Sequence, residues 1–452
     1  MTRHTTRLAA VIVVTALTLI TPRILTAQQN AHQAQQAIRR QAANPSKIIG
    51  EPDVDDMPMP ARERYFELQD EIERLRKEDT AESRRKLNAL YDKLRQASTA
   101  MSKETEALNK RIYESRQAEL KRRARAEIPR GQALGFDVLS YPRVNGSTSA
   151  HPLGVLIACR LLGSEYEWSN KYRRASPYRP GNIGFSVSDR GSLTVDDYFV
   201  QYRLMAAGEG PKAERLATII NRNLVVHNGT HGAYVALMEK QADFALIARE
   251  PAEDELKAAA EKGVAFETTP VALDAFVFIV HRANPIRTLT TDRLKGVYTN
   301  KIETWKELGG PDRKITAYQR NKTSGSQGLM LSEFMKDTPI HKPDNEYANR
   351  LILHGMGGPY HRLLQDPHGI AYSVYYYEHF MAASPYTRPL AVDNVLPTSK
   401  TIRAGKYPYV TKVYAVIRKD EPQDSGARKL RNWLLTDEGQ AVIEESGYVP
   451  MP

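Results

Sequence analysis

Gly229–Lys262 reads GTHGAYVALMEKQADFALIAREPAEDELKAAAEK, and it divides into a helix, a strand and a second helix. Gly232–Gln241 has helical composition, Asp243–Ile247 is a short apolar run, and Glu253–Lys262 is helical again after Pro251. The same alternation recurs along the chain. Ala275–His281, Ala371–Tyr377 and Val410–Arg418 read as strands, and Leu153–Leu162, Gln327–Met335 and Ala427–Leu435 as helices. Alternating units of this kind imply an α/β architecture with mostly parallel sheets. About 320 residues in such a pattern exceed what one core covers well, so two lobes are expected. Tyr166–Gly229, rich in Tyr, Arg, Ser and Gly, is less regular and reads as an insertion beside the first lobe.

Composition narrows the function. The 452 residues carry 64 Lys and Arg against 53 Asp and Glu, a formal charge of +11. The excess is spread over the chain instead of forming the clustered basic groove that a nucleic acid requires, so no nucleic-acid partner is expected. Mean hydropathy is −0.51, which excludes a polytopic membrane protein. The one cysteine, Cys159, excludes an internal disulfide and a thiolate zinc knuckle. The histidines are scattered without an HExxH or HxH pair, and no metal or cofactor is expected.

Residues 1–27 have the form of an export signal: Arg3 and Arg7, then the apolar LAAVIVVTALTLI over Leu8–Ile20, then Leu25-Thr26-Ala27. No cysteine follows for lipid attachment, so a soluble exported protein is expected, periplasmic in a two-membrane bacterium. Residues 28–60 read as a linker rich in Gln, Ala and Pro. Residues 61–128 form a charged helical arm. Leu68, Ile72 and Leu75, then Leu87, Tyr91, Leu94, Met101, Leu108 and Ile112, make a narrow apolar stripe. The phase slips between Leu75 and Leu87, so the arm is one long helix or two with a break near Asp79-Thr80. It can serve self-association, docking of a partner, or simply as a spacer or antiparallel hairpin.

Three segments place Gly, Ser or Thr just ahead of a helical run. They are Asn145-Gly146-Ser147-Thr148-Ser149, Gly229-Thr230-His231-Gly232, and Arg320-Asn321-Lys322-Thr323-Ser324-Gly325-Ser326. Helix starts expose unpaired N–H groups and the positive end of the macrodipole, and hydroxyls add donors. Each segment alone is explained by ordinary capping. All three together, with Arg320 able to grip two oxygens at once, point to an oxyanion site.

The motifs YPRVNGSTSAHPL (141–153), GTHGAY (229–234), ADFALIAREP (242–251), LDAFVFIVH (273–281), AYQRNKTSGSQ (317–327), GIAYSVYYY (369–377) and WLLTDEGQAVIEESGYVP (433–450) together resemble the phosphate-binding subunits of bacterial ABC phosphate importers. The resemblance covers Leu139 to Pro452, leaving out the arm and fitting Tyr166–Gly229 poorly. It implies a bilobal type II periplasmic binding protein fold in which two crossing strands join the lobes. Lobe 1 is then residues 136–276 with 408–452, carrying the irregular stretch 166–229, and lobe 2 is residues 277–407. It further implies capture of phosphate, or a similar tetrahedral oxyanion, in the cleft for delivery to an ABC permease, without covalent chemistry.

Carried over motif by motif, the resemblance implies Ser147, Thr148 and Ser149 in the first loop and Thr230, with His231 beside it, in the second. Arg320, Ser324, Gly325 and Ser326 match the family's Arg-x-x-x-Ser-Gly-Thr/Ser. The chain departs from the family where an aspartate usually stands two residues before a proline, accepting the ligand's proton. Here that position is Arg249, in Ile247-Ala248-Arg249-Glu250-Pro251, so Arg249 joins the ligand candidates and selectivity for phosphate is put in question. The alternative class is an envelope sensory or interaction protein, with the bilobal fold as a ligand-responsive module and the arm for docking. A hydrolase is disfavoured, because Ser324-Gly325-Ser326 lacks G-x-S-x-G and a marked base. Tyr375-Tyr376-Tyr377 reads as a strand alternating into two packed faces.

Overall fold

Strands form where the apolar runs lie, but their directions differ from the sequence expectation. A computed structural model describes residues 60–78, 80–123, 134–169, 200–342, 351–384 and 386–452. The export signal, the linker up to residue 59, residues 124–128 of the arm and 170–199 of the irregular stretch lie outside the described residues. The principal strands are β1 (Val144–Gly146), β2 (Phe244–Ile247), β3 (Phe266–His281), β4 (Thr316–Ala317), β5 (Gly369–Val374), β6 (Thr387–Pro389), β7 (Val410–Arg418) and β8 (Val449–Pro450). They form one sheet in the order β1-β2-β7-β3-β5-β4, with β6 and β8 also paired to β3. β1 with β2 and β5 with β4 run parallel, whereas β7 and β5 run antiparallel to β3. The sheet is therefore mixed and not mostly parallel. Much of the antiparallel pairing comes from β3 itself, a single 16-residue strand, and β7 also runs antiparallel to β2.

Phe266–Ala275 of β3 pairs with β7, and Phe276–Val280 pairs with β5. At the hand-over the N–H of Phe276 donates to the carbonyl of Tyr409 at 2.9 Å, so two chain segments cross side by side. From Val271 to His281 every β3 residue is buried, consistent with a strand covered on both faces. Val277, Phe278, Ile279 and Val280 are fully enclosed. Each such side chain contributes about 1.5–3 kcal/mol relative to exposure.

Asp274 anchors this crossing. Its Oδ1 accepts from the N–H of Ala275 at 2.8 Å and of Tyr376 at 2.9 Å. Complete burial pushes the carboxyl up to about 7, because the charged form is disfavoured away from water. The Tyr376 ring stacks on Tyr448 with centroids 3.8 Å apart, and its hydroxyl donates to the Ser446 carbonyl at 2.8 Å. Here the structure corrects the reading of Tyr375-Tyr376-Tyr377 as strand. β5 ends at Val374, and the tyrosines open a helical turn that continues over Tyr377–Met381. The chain turns because the Tyr376 amide is taken by Asp274 instead of a neighbouring strand.

The principal helices are α1 (Pro60–Glu78), α2 (Ala81–Arg123), α3 (His151–Leu162), α4 (Gly229–Met238), α5 (Glu253–Glu261), α6 (Gly325–Leu329, helical onward to Met335), α7 (Gly426–Leu434) and α8 (Asp437–Ser446). The described residues of the arm form two helices, one of the two alternatives that the sequence left open. The N–H of Thr80 donates to Ser83 Oγ at 2.8 Å, and the N–H of Ser83 donates to Thr80 Oγ1 at 3.0 Å. α1 folds back on α2, with Leu68, Ile72, Leu90 and Ala97 buried between them. Leu120, near the far end of α2, joins the main core. There Arg116 and Glu119 flank His379 at 2.8 and 2.9 Å.

α8 had no counterpart among the helices read from the sequence. Its Glu445 is buried, accepts from Arg160 Nε at 3.0 Å and from Tyr166 Oη at 2.5 Å, and locks α8 onto α3. Among the described residues, no helix is long and apolar enough to cross a membrane.

Candidate oxyanion cleft

The first loop leaves β1 and enters α3. The N–H of Ser147 donates to the Leu246 carbonyl at 3.0 Å, and its own carbonyl accepts from the N–H groups of Ala150 and His151 at 3.1 Å each. The loop is thus fixed by backbone bonds and leaves the side chains uncommitted. Ser147 Oγ is buried without a hydrogen-bond partner. Thr148 is half-buried and Ser149 is buried. Asn145 ties this loop to the second, its Oδ1 accepting from Gly146 N at 2.8 Å and Asn228 N at 3.2 Å.

The second loop opens α4 and buries Thr230. His231 points elsewhere: its Nδ1 lies 3.0 Å from Glu255 Oε1. Arg249 is turned to the same carboxylate, with Nη1 2.8 Å from Oε2 and Nη2 2.9 Å from Oε1. Glu255 also accepts from the N–H of Ala252 at 2.8 Å. Burial works to raise this carboxyl, but the Arg249 guanidinium, the backbone N–H and His231 outweigh it and leave the pKa below the usual value. Arg249 therefore sits beside its neutralising partner and presents no bare positive charge.

The third loop contrasts with that arrangement. Arg320, on the short strand Gln319–Arg320, is 5% exposed. Its N–H donates to Tyr372 Oη at 2.9 Å and Gln327 Oε1 at 3.1 Å, and its Nε donates to the Leu353 carbonyl at 3.2 Å. Nη1 lies 3.5 Å from Met356 Sδ. Among the described residues no carboxylate pairs with it, and burial pulls its pKa down. A buried guanidinium without a counter-charge is costly unless an anion arrives. Ser324 Oγ is likewise buried without a partner. Ser326 Oγ reaches only Met356 Sδ, at 3.8 Å.

The second and third loops meet directly. A Cβ at Gly325 would overlap Thr230 Oγ1, so only glycine lets α6 approach α4 this closely. Ser147, Thr230, Ser324 and Arg320 are thus all buried on the loops that the sequence marked, and Thr230 and Gly325 are in direct apposition. Sequence reasoning missed Asn145, Gln327, Tyr372 and Glu255, which hold these loops. Only Gln327 and Asn145 carried a signal, by standing next to the loops themselves. Among the described residues, no cluster of three or more His, Cys, Asp or Glu is placed to hold a metal.

Residues 221–438 match the family model of the PBP superfamily domain. Among curated relatives, the phosphate-binding protein PstS of Borreliella burgdorferi is 24% identical over 237 residues, covering 51% of this chain and 81% of the relative. The phosphate-binding protein PstS of Staphylococcus epidermidis is 26% identical over 232 residues, covering 50% and 68%. Among solved structures, an ABC-type phosphate transport receptor from Vibrio cholerae aligns over 69% of this chain and 99% of its own, at 18% identity and a TM-score of 0.43. The family model and the curated relatives agree with the resemblance drawn from the motifs.

Proposed function

We propose, for a chain whose residues 221–438 match the PBP superfamily domain, that the cleft captures phosphate or a closely similar tetrahedral oxyanion and that the chain delivers it to an ABC permease. The observation that carries this reading is the buried Arg320, without a carboxylate partner among the described residues, on the same loop as the unpartnered Ser324 hydroxyl. Ser147, from the opposite half, adds a second buried hydroxyl in want of a partner. An oxyanion with four oxygens satisfies all three groups at once, and charge-assisted hydrogen bonds of this kind are the strong ones. The curated relatives named PstS support the same ligand. Thr148, Ser149, Thr230, Gly325 and Ser326 complete the loops. We place His231 and Arg249 behind the first layer, on Glu255.

The chain performs no covalent chemistry on this reading. The ligand favours the closed state because donors from both halves reach it only there. Residues 1–27 direct export, so the protein works outside the inner membrane. Isothermal titration of the full chain with phosphate is expected to show saturable binding. Arg320→Ala is expected to weaken it by about 1.5–3 kcal/mol or more, at least tenfold. Equal binding by the variant refutes the assignment.

A further inference from the structure

Arg249 stands where relatives were expected to present a ligand-facing acid, yet its guanidinium is spent on Glu255. What remains is its stem and Nε, and these face the other half of the molecule. A Cβ built on Gly328 would come 2.6 Å from Arg249 Cδ and 2.7 Å from Nε. Gly325 and Gly328 are three residues apart, on one face of α6. Gly325 meets Thr230 and Gly328 meets Arg249, so this face of α6 is a contact surface for the opposite half. Arg249 is not a loose side chain that swings aside. Besides the paired bonds to Glu255, its Nη1 donates to the Glu250 carbonyl at 2.7 Å, and its carbonyl accepts from Tyr234 Oη at 2.9 Å. Glu255 is itself fixed by His231 and the Ala252 N–H.

We propose that Arg249 is a positioning residue for closure. Held by Glu255, which His231 braces in turn, it forms the lobe-1 face of a cross-cleft contact whose lobe-2 face is the glycine at position 328. The contact rests on the reading of the cleft as an oxyanion site. In it, shape sets how far the halves close, and the ligand supplies the attraction. A methyl group at position 328 meets a braced side chain, so the chain must either stay open or break the Arg249–Glu255 pair. Either outcome lowers the population of the competent closed state, and apparent affinity falls with that population.

The test is a cycle on the full chain with inorganic phosphate as the probe, using titration calorimetry for affinity, small-angle X-ray scattering for compaction and thermal melting for folding. Gly328→Ala is expected to weaken phosphate binding roughly tenfold or more and to reduce phosphate-induced compaction. Adding Arg249→Ala is expected to recover most of the loss, because the clash is gone. Arg249→Ala alone is expected to keep compaction and to lose less affinity than Arg320→Ala, a result readable even where Gly328→Ala fails to fold. If the wild-type chain binds phosphate and Gly328→Ala matches it, the contact is refuted while the cleft stands. Loss of all binding in Arg249→Ala, equal to that in Arg320→Ala, makes Arg249 a ligand contact and also overturns the proposal. A wild-type chain that binds no phosphate overturns the reading of the cleft and the contact with it.

Discussion

Asp274→Asn tests how the two halves are joined. The carboxyl at the β3 crossing is fully enclosed and raised to about 7, against an ordinary 3.8. A folded-state pKa above the unfolded value means that the native protein holds the proton more tightly. The stability this confers is complete below pH 3.8 and is lost as pH rises through 7. At about 1.4 kcal/mol per tenfold difference in proton affinity, the loss by pH 8 amounts to about 4 kcal/mol. Asparagine keeps the oxygen that accepts from Ala275 and Tyr376 and carries no titrating proton. Relative to wild type, the variant should therefore gain stability from pH 5 to about pH 7 and level off above it. Urea unfolding of both proteins across that range measures it, and the slope of ΔG with denaturant confirms that the same surface is exposed. A wild-type-minus-variant difference that is flat with pH refutes the claim that this carboxyl is protonated in the native fold.

Ser324→Ala should weaken phosphate binding about tenfold while leaving the ligand-free melting temperature unchanged or raised, because the hydroxyl is buried without a partner until the anion arrives. Calorimetry and thermal melting read the two effects separately, and a large drop in melting temperature argues for a purely structural hydroxyl. Glu445→Ala strands the buried Arg160 guanidinium between α3 and α8 and should destabilise the fold by about 3–5 kcal/mol. Chemical denaturation checks this, and a change below about 1 kcal/mol would mean that the pair is solvated.

The α/β class and most element positions were legible because apolar runs and helical stretches alternate so regularly. β7 spans Val410–Arg418 as read from the sequence, and α5 begins at Glu253 as expected. Strand direction was not legible. Much of the antiparallel pairing arises from one long strand that pairs with β7 along its first part and β5 along its second, a tertiary property that no local window contains. Tyr375–Tyr377 was misread for a related reason: the residue that ends β5 there is Asp274, about a hundred positions earlier. The site loops were visible because hydroxyl and glycine residues before helices are a local signal. Arg249 shows the boundary of such reading. Its position in the motif suggested a ligand contact, but its fate is set by Glu255 six residues on, whose own burial could not be foreseen. Two helices in the arm were one of the alternatives that the phase slip left open, while the docking of α2 through Arg116 and Glu119 onto His379 is a long-range pairing without a sequence signature.

A crystal structure of the full chain grown with phosphate tests the central claim most directly. The account predicts one oxyanion enclosed between the halves, within hydrogen-bond distance of the Arg320 guanidinium and of both Ser147 Oγ and Ser324 Oγ. Phosphate bound elsewhere, or a cleft in which Arg320 turns to a protein carboxylate instead, would contradict it.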